Sequence, residues 1–302
     1  MKRSIAVVVR PPGDEGRLEA LRVAVEALRR AGHRVGVRVT FEAGDARRYA
    51  RSAARAGWDV VVAAGGDGTV NEVVNGLARV RGRTLMGVVP MGTANDFASS
   101  LSVPADLEAA LRLAAEGKAR PVDVARVNRR CFINVSTGGF GADTSQEASR
   151  ALKKHLGGFA YVLRGVENMM KFEVHSGRFS VGGELVYEGE FIFFAVGNAR
   201  QTGGGTPLTP LAKVGDGRLD IMLVHGMSRL QFMALLPDLR AGTHLDSPHV
   251  SYYRADQFDV EGAGDIVVNA DGEHIAGDAY HYDVLPRPLH VISGATTDPV
   301  DG

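Results

Sequence analysis

The chain has 302 residues, 45% hydrophobic and 23% charged, and its 35 basic and 35 acidic side chains give a formal net charge of zero. That balance excludes the basic excess of a nucleic-acid binder, and the length favours two domains with a core in each. A single cysteine, Cys131, excludes an internal disulfide; in its apolar setting it reads as a core residue, and a reducing cytoplasm fits.

Two basic residues precede the short apolar run Ser4–Val9, but Arg10-Pro-Pro-Gly13 breaks it too early for a signal peptide, so it reads as a first strand. No stretch approaches the roughly 20 apolar residues of a membrane-spanning helix. Leu18, Leu21, Val25 and Leu28 recur at helical spacing up to Gly32, and Val35, Val37 and Val39 alternate as in a strand. Ala46–Ala56 reads as a helix on which Arg47, Arg51 and Arg55 share a face; this is read as a solvated face, with weak attraction to anionic lipid as the functional alternative. Strand Asp59–Ala64, a helix to Leu77, strand Thr84–Val89 and helix Asp106–Glu116 follow. Alternating strands and helices predict a mainly parallel sheet covered on both faces.

The pattern changes near Pro121. Strands are expected at Val122–Val127, Cys131–Val135, Arg178–Val181, Glu190–Val196, Arg218–Val224, Gln257–Val260, Asp265–Asn269 and Tyr280–Leu285, with one helical stretch at about 146–171. This half predicts an antiparallel sandwich. The tail from Thr296 is expected to fray.

The strongest local signal is Gly65-Gly66-Asp67-Gly68-Thr69, at the end of an apolar strand and the start of a helix. Glycines let the backbone approach a ligand, and their amides with the helix start form an anion site. Asp67 would repel a phosphate unless a cation lay between them. The competing local reading is a turn plus a capping box, Thr69-Val-Asn-Glu72, serving the helix start. A second strand end carries Pro90-Met-Gly-Thr-Ala-Asn-Asp-Phe97, so Gly92 and Thr93 converge with the first loop on a nucleotide site.

Gly-Gly-Asp-Gly-Thr followed by Asn71-Glu72, then Pro-x-Gly-Thr-x-Asn-Asp-Phe, resembles the diacylglycerol-kinase catalytic domain, most closely its bacterial YegS-like lipid kinases. The first element is shared with NAD kinases; the second points to lipid kinases. Val37–Ala46, Ser136–Asp143 and Gly197–Gly205 add to the resemblance, which covers nearly the whole chain. It implies an α/β plus all-β fold. Residues 1–124 would form a three-layer α/β/α nucleotide-binding domain of the NAD kinase/diacylglycerol kinase type, to which about 288–302 would return. Residues 125–287 would form a β-sandwich lipid-substrate domain, with the active site between the two. One departure is clear: where relatives carry Asn-Pro-x-Ser/Gly after the first strand, this chain has Val9-Arg-Pro-Pro-Gly13, and those nucleotide contacts are not carried over.

The resemblance implies ATP held by Thr40, Gly65, Gly66, Asp67, Gly68, Thr69, Val70, Asn71, Glu72, Gly92 and Thr93, with Mg²⁺ bridging phosphate to acidic residues. Asp271-Gly-Glu273 is by itself a hairpin turn; at this place it matches the lipid-kinase catalytic element, so that Asp271 or Glu273 is the general base on the lipid hydroxyl. Asp123, locally a strand aspartate, would link nucleotide and metal. Asp216, with the carbonyls of Lys213 and Arg218, would hold a structural Mg²⁺ at an Asp-Gly turn; carbonyls bind hard cations whatever the side chain. The histidines show no metal spacing, His274 beside Glu273 included, and the absence of Gly-x-Ser-x-Gly removes the hydrolase reading. The expectation is a cytoplasmic lipid kinase touching the inner face of the membrane transiently. Leu152–Met170 is read equally as a lid over acyl chains or a core helix. A homodimer, the particular lipid, a soluble-metabolite kinase of the NAD-kinase kind and a non-catalytic lipid-binding regulator stay open.

Overall fold

A computed structural model describes residues 2–11, 13–139, 173–262, 264 and 266–294. The helical stretch expected at 146–171, with its lid reading, and the tail from Thr296 lie outside these residues. The chain divides into two compact units: Met1–Val122 with the chain from Arg287 onward, and Asp123–Pro286.

The first unit is built on a six-stranded sheet. Its strands are β1 (Ser4–Val9), β2 (Arg34–Val39), β3 (Val60–Gly65), β4 (Leu85–Pro90), β5 (Ala119–Val122) and, from far along the chain, β17 (Leu289–Ile292). The order is β2-β1-β3-β4-β17-β5, parallel except for β5. Strands β1, β3 and β4 are Val/Ala runs buried on both faces, as a parallel sheet covered by helices requires. Ile5, Val7, Val9, Val60, Val62 and Ala64 pack with α1 (Glu15–Arg30) and α5 (Leu107–Glu116) on one face. Helices α2 (Asp45–Arg55) and α3 (Asp67–Leu77) lie side by side on the other: a Cβ on Gly76 would come within 2.6 Å of the Arg47 carbonyl oxygen. A short α4 (Asp96–Ser100) follows β4.

The strand expected over Val122–Val127 is two strands, β5 and β6 (Ala125–Val127), in different sheets. Asp123-Val124 joins them. The second unit holds an eleven-stranded antiparallel sheet. Its centre is β10 (Glu184–Gly197), which pairs along its length with β9 (His175–Val181), β8 (Val135–Gly139) and β11 (Leu219–His225). The remaining strands are β7 (Arg130–Phe132), β12 (Val250–Ala255), β13 (Gln257–Glu261), β14 (Val267–Ala270), β15 (Glu273–Ala276) and β16 (Ala279–Val284). One face packs Phe179, Phe191, Phe194, Phe258 and Tyr282 together; the other meets α6 (Arg229–Ala241) through Phe193 and Phe232. Helix α6 was not expected from the sequence. Among the described residues no helix is long and apolar enough to cross a membrane.

Candidate active site

In the first unit the parallel strands end at one edge. Thr40 follows β2, Gly65 closes β3 and Pro90 closes β4. The Thr40 amide donates to the Val9 carbonyl at 2.9 Å, and the Met91 amide to the Gly65 carbonyl at 2.9 Å, so the two polar loops leave the sheet in register. Their backbones nearly touch: a Cβ on Gly92 would lie 2.5 Å from the Gly66 Cα, and one on Gly65 would lie 2.4 Å from Thr69 Oγ1. Only glycine permits this approach.

Helix α3 starts at Asp67 with Gly66 as its N-cap, and no side chain caps it. Its first amides and dipole therefore face outward, the condition for anion binding. The capping box does not form. Thr69 is buried against Gly65, and the Glu72 carboxylate instead accepts from the amides of Gly44 (3.0 Å), Ala46 (3.0 Å) and Arg47 (3.4 Å), closing the start of α2. Val70 and Asn71 are buried, and Asn71 Oδ1 accepts from Asn75 Nδ2 at 2.9 Å. Of the run 65–72, what faces a ligand is backbone, exposed Gly68 and the Asp67 carboxylate; Thr93 is exposed on the neighbouring loop.

That neighbouring loop is closed by Asn95, in a left-handed conformation (φ 52°), whose amide group bonds both the Gly92 N–H and C=O at 2.9 Å. It delivers Asp96, 4% exposed, next to Asp67. Burial, then the Asp96 charge, raises the Asp67 carboxyl above its ordinary range, while amides including Phe97 pull the other way. A carboxylate destabilised in this way by burial and a neighbouring negative charge needs positive charge beside it. A divalent cation arriving with a phosphate meets that need, so these residues fit an Mg-nucleotide.

In the second unit Asp271 and Gly272 form the two-residue turn between β14 and β15, both at positive φ (49° and 90°), as a type I′ hairpin requires. The local turn reading of Asp-Gly thus describes the backbone, while the side chain is engaged away from the turn. The Asp271 oxygens accept from the amides of Ile133 (2.7 Å) and Asn134 (3.0 Å), which fixes the carboxylate. Buried Asn198 ties the same neighbourhood together, donating to the carbonyls of Asp123 (3.0 Å) and Ile133 (2.9 Å). Glu273 lies beyond the turn, half-exposed, paired with Arg130 at 2.9 Å.

Asp123 belongs to the turn at 213–218. Its amide donates to the Val214 carbonyl at 2.7 Å, and its Oδ2 accepts from the Gly217 amide at 2.6 Å. Burial first, and Asp216 in addition, raise its carboxyl against that bond. At the proposed structural Mg²⁺ set, Asp216 Oδ1 accepts from the Arg218 amide at 3.1 Å, and Oδ2 is bound by the Arg254 guanidinium. Arg254 sits opposite Asp220 in the β11–β12 ladder, its Nε 3.5 Å from Asp220 Oδ1. A positive charge already stands against Asp216. The set of Asp216 with the carbonyls of Lys213 and Arg218 fits a cation only if that guanidinium leaves. Among the described residues no group of three or more His, Cys, Asp or Glu side chains is set to hold a metal.

Sequence reasoning therefore brought the two glycine loops to one edge but missed Asp96 as the neighbour of Asp67, Glu72 as the cap of α2, and Arg254 as the counter-ion of Asp216. The Asn95-Asp96 pair was open to reading as a turn; the Arg254 pairing is set by strand register, which no local motif encodes.

Comparison with known proteins agrees with this architecture. Residues 4–127 match the diacylglycerol kinase catalytic domain, and residues 134–293 match the YegS C-terminal NAD kinase beta sandwich-like domain. A Pseudomonas aeruginosa protein named "Probable lipid kinase YegS-like" is 40% identical over 92% of this chain and 91% of its own. Escherichia coli "Probable lipid kinase YegS" is 39% identical over 89% of each chain. The crystal structure of a diacylglycerol kinase from Bacillus anthracis str. Sterne superposes with a TM-score of 0.82 at 27% identity, covering 97% of both chains. Yeast NADH kinase shares the fold alone (TM-score 0.54, 11% identity, 99% of this chain and 86% of that one). The chain belongs to the diacylglycerol kinase family, with the YegS-type second domain, and is a phosphotransferase with an alcohol acceptor.

Proposed function

We propose that this enzyme transfers the γ-phosphate of ATP to a free hydroxyl of a membrane lipid such as diacylglycerol or phosphatidylglycerol. The observation that carries the reading is the pair of glycine loops on the first unit: interlocked at Gly66 and Gly92, open at the start of α3, with Asp67 and Asp96 side by side. Backbone amides at Gly66, Gly68 and Thr93 bind phosphate oxygens, with Gly92 letting the two loops approach and Thr40 beside the nucleotide. Asp67 takes the Mg²⁺ that accompanies ATP, and Asp96 adds to the negative field. When bound there, that cation would supply neutralisation of charge on the phosphate oxygens.

Asp271 is the general base. Two amides hold its carboxylate in one orientation, and Glu273 serves the outer side of the turn through Arg130. A carboxylate of ordinary basicity does not deprotonate an alcohol beforehand. In a loose transition state it accepts the proton late, as the new P–O bond forms. The products are ADP and the phosphorylated lipid. Asp123 orders the 213–218 turn and holds Asn198 through its carbonyl, supporting the Ile133–Asn134 amides that position the base.

The test is ³²P transfer from labelled MgATP to a panel of hydroxyl lipids in neutral mixed micelles, with NAD⁺ as the soluble acceptor and Asp67→Asn as control. Lipid-dependent labelling abolished in Asp67→Asn supports the reading. Labelling of NAD⁺ in place of every lipid would overturn it in favour of a soluble-metabolite kinase.

A further inference from the structure

The outer face of α2 and the turn before it form a surface that the catalytic reading leaves unused. Arg47, Arg51 and Arg55 stand at i, i+4 and i+8, and with Gly44, Arg48 and Ser52 they line a shallow concavity of about 490 Å³. Arg48 pairs with Asp45 at 2.6 Å and lies over the Tyr49 ring, whereas the Arg51 Nε is buried without a hydrogen-bond partner among the described residues. Like charges at i, i+4 work against so short a helix. The helix tolerates them because its other face is anchored by Ala46, Ala50, Ala53 and Ala54, and its start is closed by Glu72. The acids close by in sequence are Asp45, turned inward and 2% exposed, and Glu42. In a chain of net charge zero this is a concentration of positive charge on one face.

Beside it stands Phe41, 88% exposed. Its ring is not on a loose loop: the Asp45 carboxylate accepts from the Phe41 amide at 2.9 Å and the Glu42 amide at 3.3 Å, and these bonds hold the Asp45 carboxyl below its ordinary range. The chain thus presents a large apolar ring on a rigid turn, next to a row of arginines, immediately after Thr40 at the ligand edge of the sheet. An aromatic ring that enters the acyl boundary while neighbouring cations meet phosphate headgroups is the physics of interfacial membrane binding.

We infer that Phe41 and the α2 arginines Arg47, Arg51 and Arg55 form the surface by which this protein docks on an anionic phospholipid membrane, with Phe41 inserted and the guanidinium groups on lipid phosphates. The inference rests on the lipid-kinase reading for its purpose, but its test does not use catalysis. Docking by this face places the nucleotide edge of the first unit at the headgroup level, where a lipid hydroxyl lies.

The experiment is flotation of the full chain with phosphatidylcholine vesicles, with and without one third phosphatidylglycerol, at low and high salt. Parent protein, Phe41→Ala and the double variant Arg51→Gln/Arg55→Gln are compared, each first shown to melt like the parent. The expected result is binding to the anionic vesicles only, weakened by salt. Each arginine at an anionic surface contributes roughly fivefold, so the double variant should lose about 25-fold in partitioning; loss of the inserted ring should cost about tenfold. Parent-like partitioning of both variants overturns the inference. So does a double variant that keeps vesicle binding but loses thermal stabilisation by inorganic phosphate, which would assign the concavity to a small anion. Arginine-dependent flotation by a protein that labels no lipid would uphold this surface while removing the kinase assignment.

Discussion

Replacing Arg254 with methionine isolates the charge cluster on β11 and β12. Asp220 is fully buried, its Oδ2 has no hydrogen-bond partner among the described residues, and its Oδ1 has the Tyr252 hydroxyl at 2.8 Å and the Arg254 Nε at 3.5 Å. Burial raises the Asp220 carboxyl first and foremost, which marks it as a charge held at a cost. Removing one partner of a buried ion pair typically costs about 3–5 kcal/mol. Here the Tyr252 bond survives and the Arg254 side chain is 39% exposed, so water re-enters and the loss should sit near the lower end, about 3 kcal/mol. For a unit of this size that lowers Tm by roughly 6–12 °C. The assay is a thermal melt of nucleotide-free protein with EDTA and with increasing Mg²⁺. The parent should be indifferent to EDTA, because the guanidinium already neutralises Asp216. Arg254→Met should melt early, be rescued in part by Mg²⁺ at the vacated carboxylates, and recover most of its loss when Asp220→Asn is added. A variant melting within 2 °C of the parent, or a parent that loses as much in EDTA as the variant, would refute the claim that Arg254 is the counter-ion.

Other outcomes follow from the same geometry. Asp271→Asn should lower lipid phosphorylation by about 10²–10⁴-fold with little change in the KM for ATP, whereas Glu273→Gln should lose less than about tenfold; the reverse ranking in steady-state kinetics would move the base to Glu273. Asp67→Asn should abolish activity yet raise the melting temperature of the nucleotide-free protein at pH 7. The sign follows from linkage: a carboxyl whose pKa is raised in the folded state binds a proton more tightly there, so its ionisation costs stability as pH rises. The advantage of the asparagine should therefore shrink as pH falls from the raised folded value toward the ordinary value near 4, and melts across that window check it. Glu72→Ala removes the acceptor for three amides at the start of α2 and should cost about 1–2 kcal/mol in a denaturant titration. Glu72→Gln should recover part of that loss.

What was legible in the sequence was whatever is written locally. The Val/Ala runs of β1, β3 and β4, the helical spacing of Leu21, Val25 and Leu28, and the glycines at two strand ends each carry their own physical reason within a few residues. Helix α6 was missed because its weakly amphipathic run, Leu230–Leu239, contains Pro237, which argues against a helix interior; the Ser228–Gln231 capping box was the signal available. Glu72 fitted a capping box by spacing, and only the packing of α2 against α3 shows that it caps the neighbouring helix instead. Arg254 gives no local sign of its role, since Asp220 lies 34 positions away and meets it through strand pairing. Asp271 shows both sides: its turn was readable as Asp-Gly, but its carboxylate is placed by amides at 133 and 134, and this arrangement rests on tertiary structure.

The place of β17 carries a consequence for how the protein is made. This strand fills the gap between β4 and β5, and Ile292 joins the core beneath α5. Until residue 292 has left the ribosome, β4 has an unpaired edge and β5 has no partner in its sheet. The first unit, although first in the sequence, is thus the last to be completed, and throughout synthesis of the second unit it exposes an apolar strand edge of the kind that pairs with other chains. A nascent chain stalled before Leu289 should depend on chaperones far more than one released a few residues later.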